Sequence, residues 1–97
     1  MTPEGKIQKA VVKYATAKGC VARKYKNEGR RSAPDYIFFY GGMVLMIEFK
    51  ASGKKATKAQ EREAGIYRNV GILVFTIDNI DDGKKLIGKF IDGLLFI

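Results

Sequence analysis

Residues 34–50, PDYIFFYGGMVLMIEFK, contain the pattern that decides how this sequence is interpreted. Residues 36–40 and 43–49 are rich in aromatic and aliphatic side chains, including β-branched ones, and such runs are typical of strands. The Gly41-Gly42 pair between them predicts a two-residue hairpin turn. The stretch therefore predicts two antiparallel strands joined by a tight turn.

This turn fixes which side chains of the two strands face each other. With two glycines as the loop, Tyr40 pairs with Met43, and the same register places Asp35 directly opposite Glu48. The Cβ atoms of such a pair lie about 4.5–5.5 Å apart, and like charges there repel each other. A divalent cation with oxygen ligands would neutralise them. Lys50, two residues beyond Glu48, lies on the same face.

This arrangement of two carboxylates and one lysine is typical of a catalytic site. The alternative is an exposed hairpin face with solvated charges, in which Lys50 forms a surface ion pair with Asp35 or Glu48. Both interpretations stay open on these residues alone, because short motifs recur by chance.

Length and charge narrow the function classes. The 97 residues predict one domain, 1–97, with a single core. A net charge of +8 favours a polyanionic partner. Nucleic acid is the leading candidate, and an anionic membrane surface is the alternative. No apolar run is long enough to cross a bilayer, and the N-terminus lacks the apolar segment of a signal peptide, so we expect a soluble, intracellular protein of the cytoplasm.

Two residue counts restrict the chemistry. Cys20 is the only cysteine, which excludes an internal disulfide. The chain has no histidine, which excludes the usual zinc sites and any catalytic triad built on imidazole. Catalysis would therefore depend on carboxylates, lysine and a metal ion. We expect Cys20 to be a buried small hydrophobe.

The rest of the sequence predicts the element order α-β-β-β-α-β-α. Helix signals are N-cap residues and apolar residues at helical spacing, and strand signals are short apolar runs. The predicted elements are a helix from Thr2 to Gly19, a strand at 20–25, the hairpin, a helix from Thr57, a strand at 71–77 and a helix from Asp81 or Asp82.

With this order and these residues, the chain resembles a known family. It is similar to VRR-NUC domains, the virus-type replication-repair nucleases of the restriction-endonuclease-like PD-(D/E)xK superfamily. The matching pieces are Glu4 with Ile7-Gln8, Pro34-Asp35, Ile47-Glu48-Phe49-Lys50 and Gln60. The resemblance covers nearly the whole chain and implies an α/β, restriction-endonuclease-like core, a mixed sheet flanked by helices.

The resemblance also implies roles for individual residues. Asp35 and Glu48 would bind Mg²⁺ or Mn²⁺, with the backbone carbonyl of Phe49 as a further ligand. A metal ion at this position would polarise the scissile phosphate and lower the pKa of a bound water. Lys50 would position that water or stabilise charge that develops on the phosphate.

Two helical residues have competing interpretations. The family implies that Glu4 lines the site and helps to hold a second metal, although an acid in a first helical turn is also favoured by the helix dipole. It implies that Gln60 orients the lysine or the phosphate, although a helical glutamine often only faces solvent. We interpret Glu61 and Glu63, which flank this region, as solvated charges.

Basic residues lie in the two loops that flank the hairpin. They are Arg30, Arg31, Lys54 and Lys55. Because both loops should border the active-site cleft, contact with DNA phosphates is the functional interpretation, and simple solvation is the alternative.

Two function classes follow from these residues. The first is a metal-dependent endonuclease that acts on branched or otherwise structured DNA, and the second is a basic, non-catalytic nucleic-acid-binding module. The resemblance further implies a homodimer that resolves four-way (Holliday) junctions in a bacterial or phage-infected cell, with a general structure-tolerant nuclease as the alternative. The apolar residues 94–97 support a dimer interface, although they could also fold onto the chain's own core.

Overall fold

The computed structural model describes residues 1–95, and within them the helices and strands follow the predicted order. The N-terminal part is α1 (Pro3–Ala17), β1 (Val21–Lys24), β2 (Tyr36–Tyr40) and β3 (Met43–Phe49). It is followed by α2 (Lys58–Asn69), β4 (Leu73–Ile77) and α3 (Ile80–Ile91). No helix in residues 1–95 is both long and apolar enough to cross a membrane.

The four strands form one mixed sheet in the order β1-β2-β3-β4. The pairs β1/β2 and β2/β3 are antiparallel, whereas β3 and β4 are parallel. A parallel neighbour requires a crossover connection, and α2 supplies it. The predicted mixed sheet flanked by helices is therefore confirmed.

The hairpin has the register that the sequence predicts. Tyr40 pairs with Met43, and Tyr36 pairs with Ile47. Gly41 and Gly42 have φ angles of 55° and 78°, as a type I′ turn requires at both central positions. Glycine occupies this conformation without the steric cost that a Cβ atom would add.

Polar side chains cap the start of each helix. Thr2 and Thr57 accept hydrogen bonds from the backbone N–H groups of Gly5 and Gln60, as their predicted cap roles require. The predicted start of α3 at Asp81 or Asp82 is wrong, because Asn79 is the N-cap and the helix begins at Ile80. Asn79 precedes the acidic pair that drew the prediction, and its side chain satisfies the N–H of Asp82.

The two faces of the sheet carry cores of different size. The larger cluster lies under α1 and α3 and includes Phe38, Leu45, Ile47 and Phe49. The smaller cluster lies under α2 and has only three buried members, Met46, Ala64 and Val74. Alternation along the strands explains this division, because successive side chains point to opposite faces. Cys20 belongs to the larger cluster, as predicted, and burial raises its pKa.

Candidate active site

Asp35 lies one residue before β2, at the position that continues the hairpin register toward Glu48. Its Oδ2 atom accepts a hydrogen bond of 2.8 Å from the backbone N–H of Phe49. The backbone of Asp35 is also fixed, because its carbonyl accepts a hydrogen bond of 2.7 Å from the N–H of Tyr25. The carboxylate is therefore held against the end of β3.

Glu48 is the buried carboxylate of the site, with only 7% of its surface exposed. Its Oε2 atom accepts a hydrogen bond of 3.1 Å from the side-chain amide of Gln60 and lies 3.9 Å from Nζ of Lys50. Its Oε1 atom is buried and has no hydrogen-bond partner among residues 1–95. A buried polar atom without a partner costs about 1–3 kcal/mol. Such atoms are rare in folded proteins, and each one needs an explanation, such as a catalytic role or a bound ion.

The pKa of Glu48 is raised to about 8. Burial is the largest cause, and the nearby charge of Asp35 adds to it, whereas Lys50 lowers the pKa. The charge of Glu4 raises it further. The predicted repulsion between Asp35 and Glu48 is thus present, and the pair favours a proton or a cation between its oxygen atoms.

Lys50 occupies the first position after β3, and only 16% of its side chain is exposed. Its backbone N–H donates to the carbonyl of Ile77 at 2.9 Å, which ties this end of β3 to β4. Its ammonium group shares the face of Glu48, as the period of two along a strand requires. The lysine is therefore positioned by the backbone and partly shielded from solvent.

Gln60 closes the cap of α2 and also contacts Glu48, whereas the alternative to its predicted site role was exposure to solvent. Its N–H donates to the hydroxyl of Thr57, and its side-chain oxygen accepts from the N–H of Thr57, which forms a capping box. Because Thr57 holds the amide oxygen, the amide NH₂ group is directed at Glu48. The helix cap therefore fixes the orientation of the glutamine toward the carboxylate.

Comparisons with known proteins identify relatives of this chain, although no protein-family model matches the sequence. A protein named "Putative nuclease p44", from Acyrthosiphon pisum secondary endosymbiont phage 1, is 33% identical over 79 residues, which is 80% of this chain and 85% of that protein. A solved structure of a VRR_NUC domain matches with a TM-score of 0.84 and 32% identity, over 93% of this chain and 99% of that one. The chain belongs to the VRR-NUC family. Its predicted restriction-endonuclease-like fold is confirmed.

The VRR-NUC fold implies a divalent metal ion, and the donor set at Asp35 and Glu48 fits one. Carboxylate oxygens are the ligands that Mg²⁺ and Mn²⁺ prefer. The orphaned Oε1 of Glu48 offers an acceptor that no protein donor uses, and a cation would supply the missing partner. In residues 1–95, however, no group of three or more His, Cys, Asp or Glu side chains is arranged to hold a metal.

Glu4 lies in the first turn of α1, half-buried, and is near enough to Glu48 to raise its pKa. In the described part of the chain, Glu4, Asp35 and Glu48 do not form a group of three side chains that could hold one metal ion. Its predicted part in holding a second metal, and the part of the Phe49 carbonyl, stay predictions.

The two predicted basic loops differ in how close they lie to the candidate active site. Arg30 and Arg31 line a cavity of about 610 Å³ that Asp35 also lines, which we call the loop cavity. Lys54 and Lys55 line a separate cavity of about 410 Å³ together with Glu61 and Asp78. The loop that carries them is anchored by the N–H of Gly53, which donates to Asp78 at 2.9 Å. The first loop therefore adjoins the carboxylates more directly than the second.

A polar network that the sequence did not predict lies next to the loop cavity. Glu63 was predicted to be solvated, but it is only 7% exposed, and its Oε1 lies 3.9 Å from Nη1 of Arg30. The hydroxyl of Tyr67 is hydrogen-bonded to that of Tyr25 at 3.2 Å, and Asn27 donates to Tyr25 at 3.1 Å. Burial and these neighbours, Glu63 included, raise the pKa of Tyr67.

A sequence signal for this network did exist. Glu63 and Tyr67 are four residues apart and therefore share one face of α2, next to the buried Ala64. Glu61, in contrast, is exposed as predicted and pairs with Arg68 at 3.4 Å.

Proposed function

We propose that this protein is a metal-dependent nuclease that hydrolyses phosphodiester bonds in DNA. The observation that carries the proposal is the buried carboxylate of Glu48, with one unpartnered oxygen, opposite Asp35 and on the same face as Lys50. Membership of the VRR-NUC family and the name of the phage relative support it. The proposed unit of function is one nuclease domain, 1–97, acting on DNA in the cytoplasm of a bacterial or phage-infected cell.

Asp35, Glu48 and the backbone carbonyl of Phe49 would hold Mg²⁺ or Mn²⁺, with Glu4 as a proposed aid to a second ion. When bound, such an ion polarises the scissile phosphate and makes water a stronger nucleophile near neutral pH. The protein's own contribution is preorganisation of these oxygens.

The side chains around the carboxylates have separate tasks in this mechanism. The N–H of Phe49 fixes Asp35, and the amide of Gln60 fixes Oε2 of Glu48, so that neither carboxylate has to reorganise when substrate arrives. Lys50 places a positive charge beside the same face, where it would stabilise negative charge that develops on the phosphate. Arg30 and Arg31 would contact neighbouring phosphates from the loop cavity, and Lys54 and Lys55 from the opposite loop.

The first test compares cleavage by the wild type and three variants, Asp35→Ala, Glu48→Ala and Lys50→Ala. Plasmid and junction DNA are incubated with Mg²⁺, Mn²⁺ or EDTA. We expect cleavage only with a divalent ion, a loss of about 10²–10⁴-fold in each variant, and DNA affinity close to that of the wild type. Glu61→Ala, an exposed acid on α2, is the matched control and should cleave normally.

Two outcomes would contradict this assignment. Metal-dependent cleavage by a folded variant of any of the three residues would refute the site. DNA binding by a wild type that cleaves under none of these conditions would favour the alternative, a basic, non-catalytic nucleic-acid-binding module.

We also propose that the enzyme is a homodimer that resolves four-way junctions. Resolution needs two symmetric cuts, and a two-fold dimer would supply two sites. Apolar side chains remain exposed on the α2 face of the sheet, where Val21 and Phe39 are cross-strand partners. Leu94 is exposed and Leu95 packs against the larger core, whereas Phe96 and Ile97 lie outside the described residues.

Light scattering at micromolar concentration and mapping of both nicks on a fixed junction test this second proposal. We expect a dimer and paired nicks placed symmetrically about the junction centre. A monomer that nicks one strand, or equal cleavage of linear duplex and junction, would leave a general structure-tolerant nuclease.

A further inference from the structure

We infer that the DNA backbone crosses the site along α1, in a groove that the sequence analysis did not assign. This α1 groove is a cavity of about 600 Å³, and its lining includes Glu4, Gln8, Lys9, Lys13 and Lys24. The inference rests on the proposed function, because it names the path of that nuclease's substrate. The ligand class is the phosphate backbone of a nucleic acid.

The α1 groove continues into the loop cavity. Lys24, the last residue of β1, lines both cavities. Asp35 lines the loop cavity, and the next residue, Tyr36, lines the α1 groove, as does Glu4. The two cavities therefore share Lys24, and each has a candidate site residue, Asp35 or Glu4, in its lining, so a strand that occupied both would pass close to the candidate active site.

Charge distinguishes this path from the opposite side of the site. The two cavities together are lined by six basic residues, Lys9, Lys13, Lys24, Lys26, Arg30 and Arg31. Three acidic residues also line them, and two of these, Glu4 and Asp35, are candidate site residues. In the cavity of Lys54 and Lys55, two acids, Glu61 and Asp78, balance the two lysines. The α1 side thus presents the stronger attraction for a polyanion.

The three lysines of the α1 groove are available for this contact. The ion pairs within residues 1–95 use Arg30, Lys50 and Arg68 as their cations and none of the groove lysines. Lys9 and Lys13 are four residues apart on α1, so they lie side by side along the helix, and both are exposed. A row of exposed, unpaired cations suits a chain of phosphates better than a single anion.

The test measures the salt dependence of duplex binding in EDTA, so that no cleavage occurs. The groove variant is Lys9→Gln/Lys13→Gln/Lys24→Gln. Its matched control removes the same charge from the exposed lysines of α3, as Lys84→Gln/Lys85→Gln/Lys89→Gln. A third variant, Lys54→Gln/Lys55→Gln, tests the opposite loop.

We expect the groove variant to lose about 2.7 from the slope of log Kobs against log salt, because each phosphate contact contributes about 0.9. The α3 control should lose less than about 0.9, the value of one contact, and the opposite loop should lose less than the groove. With Mg²⁺, the groove variant should show a raised KM and a kcat near that of the wild type, as expected when binding rather than chemistry is affected.

Three results would overturn the inference without touching the proposed function. They are an unchanged slope in the groove variant, an equal loss in the α3 control, and normal DNA binding by a groove variant that has lost binding to phosphatidylserine vesicles. A wild type that binds DNA through the groove but never cleaves it would instead refute the proposed function and leave the groove in place.

Discussion

The two faces of the sheet are built differently, and the candidate chemistry belongs to the thinner one. Under α1 and α3, twelve buried residues form one continuous cluster. Among the described residues, the cluster under α2 has only three buried members, four partly buried residues pack against it, and the charged Glu63 is buried on the same helix. Strand β3 serves both faces, because Ile47 and Phe49 point into the large core while Glu48 points to the other side.

This division shows how a small protein can hold two like charges beside each other. The strand that carries Glu48 is fixed by apolar packing on its opposite face, which is insensitive to the protonation of the carboxylates. Packing of the larger core therefore holds the backbone of β3 in place despite the electrostatic repulsion between the two carboxylates. Stability and chemistry should accordingly respond to different substitutions.

The largest expected difference separates two neighbouring residues of β2. Phe38 is fully buried in the large core, whereas Phe39, on the opposite face, is 40% exposed. We expect Phe38→Ala to lower the free energy of unfolding by about 3–5 kcal/mol, because it leaves a cavity. In dilute protein, where any dimer is dissociated, Phe39→Ala should cost less than about 1 kcal/mol, since surface substitutions have small effects. Urea denaturation of both variants measures the difference.

The Phe39→Ala variant also tests whether a second copy of the chain covers the α2 face of the sheet. A loss of stability in Phe39→Ala that grows with protein concentration would show that a second copy of the chain buries this side chain, as the proposed homodimer requires if its interface includes this face. Equal losses in both variants at every concentration would show that the smaller cluster contributes as much as the larger one.

A smaller effect is expected at the contact between α1 and α3. A Cβ atom added at Gly83 would clash with the side chain of Val11, whereas one added at Gly88 would meet nothing within 4 Å. We expect Gly83→Ala to destabilise the protein by about 1–3 kcal/mol through overpacking. Gly88→Ala, in the same helix, should stabilise it by up to about 1 kcal/mol through helix propensity. Thermal unfolding compares the two, and destabilisation by both would assign the effect to α3 itself.

A structural feature could be predicted from the sequence when residues close together in the chain determine it. The hairpin register followed from Gly41-Gly42 alone, because a two-residue loop leaves no freedom in the pairing. The helix caps at Thr2 and Thr57 followed from short motifs. The opposition of Asp35 and Glu48 needed only that register, so this part of the candidate site could be predicted.

Features that depend on distant segments could not be predicted in the same way. Glu63 is buried because Arg30 and Tyr25 approach from a loop more than thirty residues away in sequence, and no local pattern encodes that approach. The unequal placement of the two basic loops depends on how each loop folds back onto the sheet. The groove lysines were not predicted because exposed lysines look alike in a sequence until their neighbours in the fold are known.

The last prediction concerns how the titration of Glu48, on the α2 face of the sheet, makes the stability of the protein depend on pH. The pKa of Glu48 is about 8 in the folded protein, against 4.5 for an ordinary glutamate. The folded state therefore binds more protons than the unfolded state between these values, so the metal-free protein should lose stability as pH rises from about 4.5 to about 8. Glu48→Gln removes this titration and gives Oε1 a neutral replacement. We expect the variant to be the more stable protein by about 1–3 kcal/mol above pH 8, where the wild type carries the unpartnered charge, and by less at pH 5. Thermal unfolding in EDTA across this range measures the gap, and Mg²⁺ should narrow it by stabilising only the wild type. Parallel pH profiles for the two proteins would mean that the carboxylate pair is well solvated, and the like-charge argument for a cation at this site would then fail.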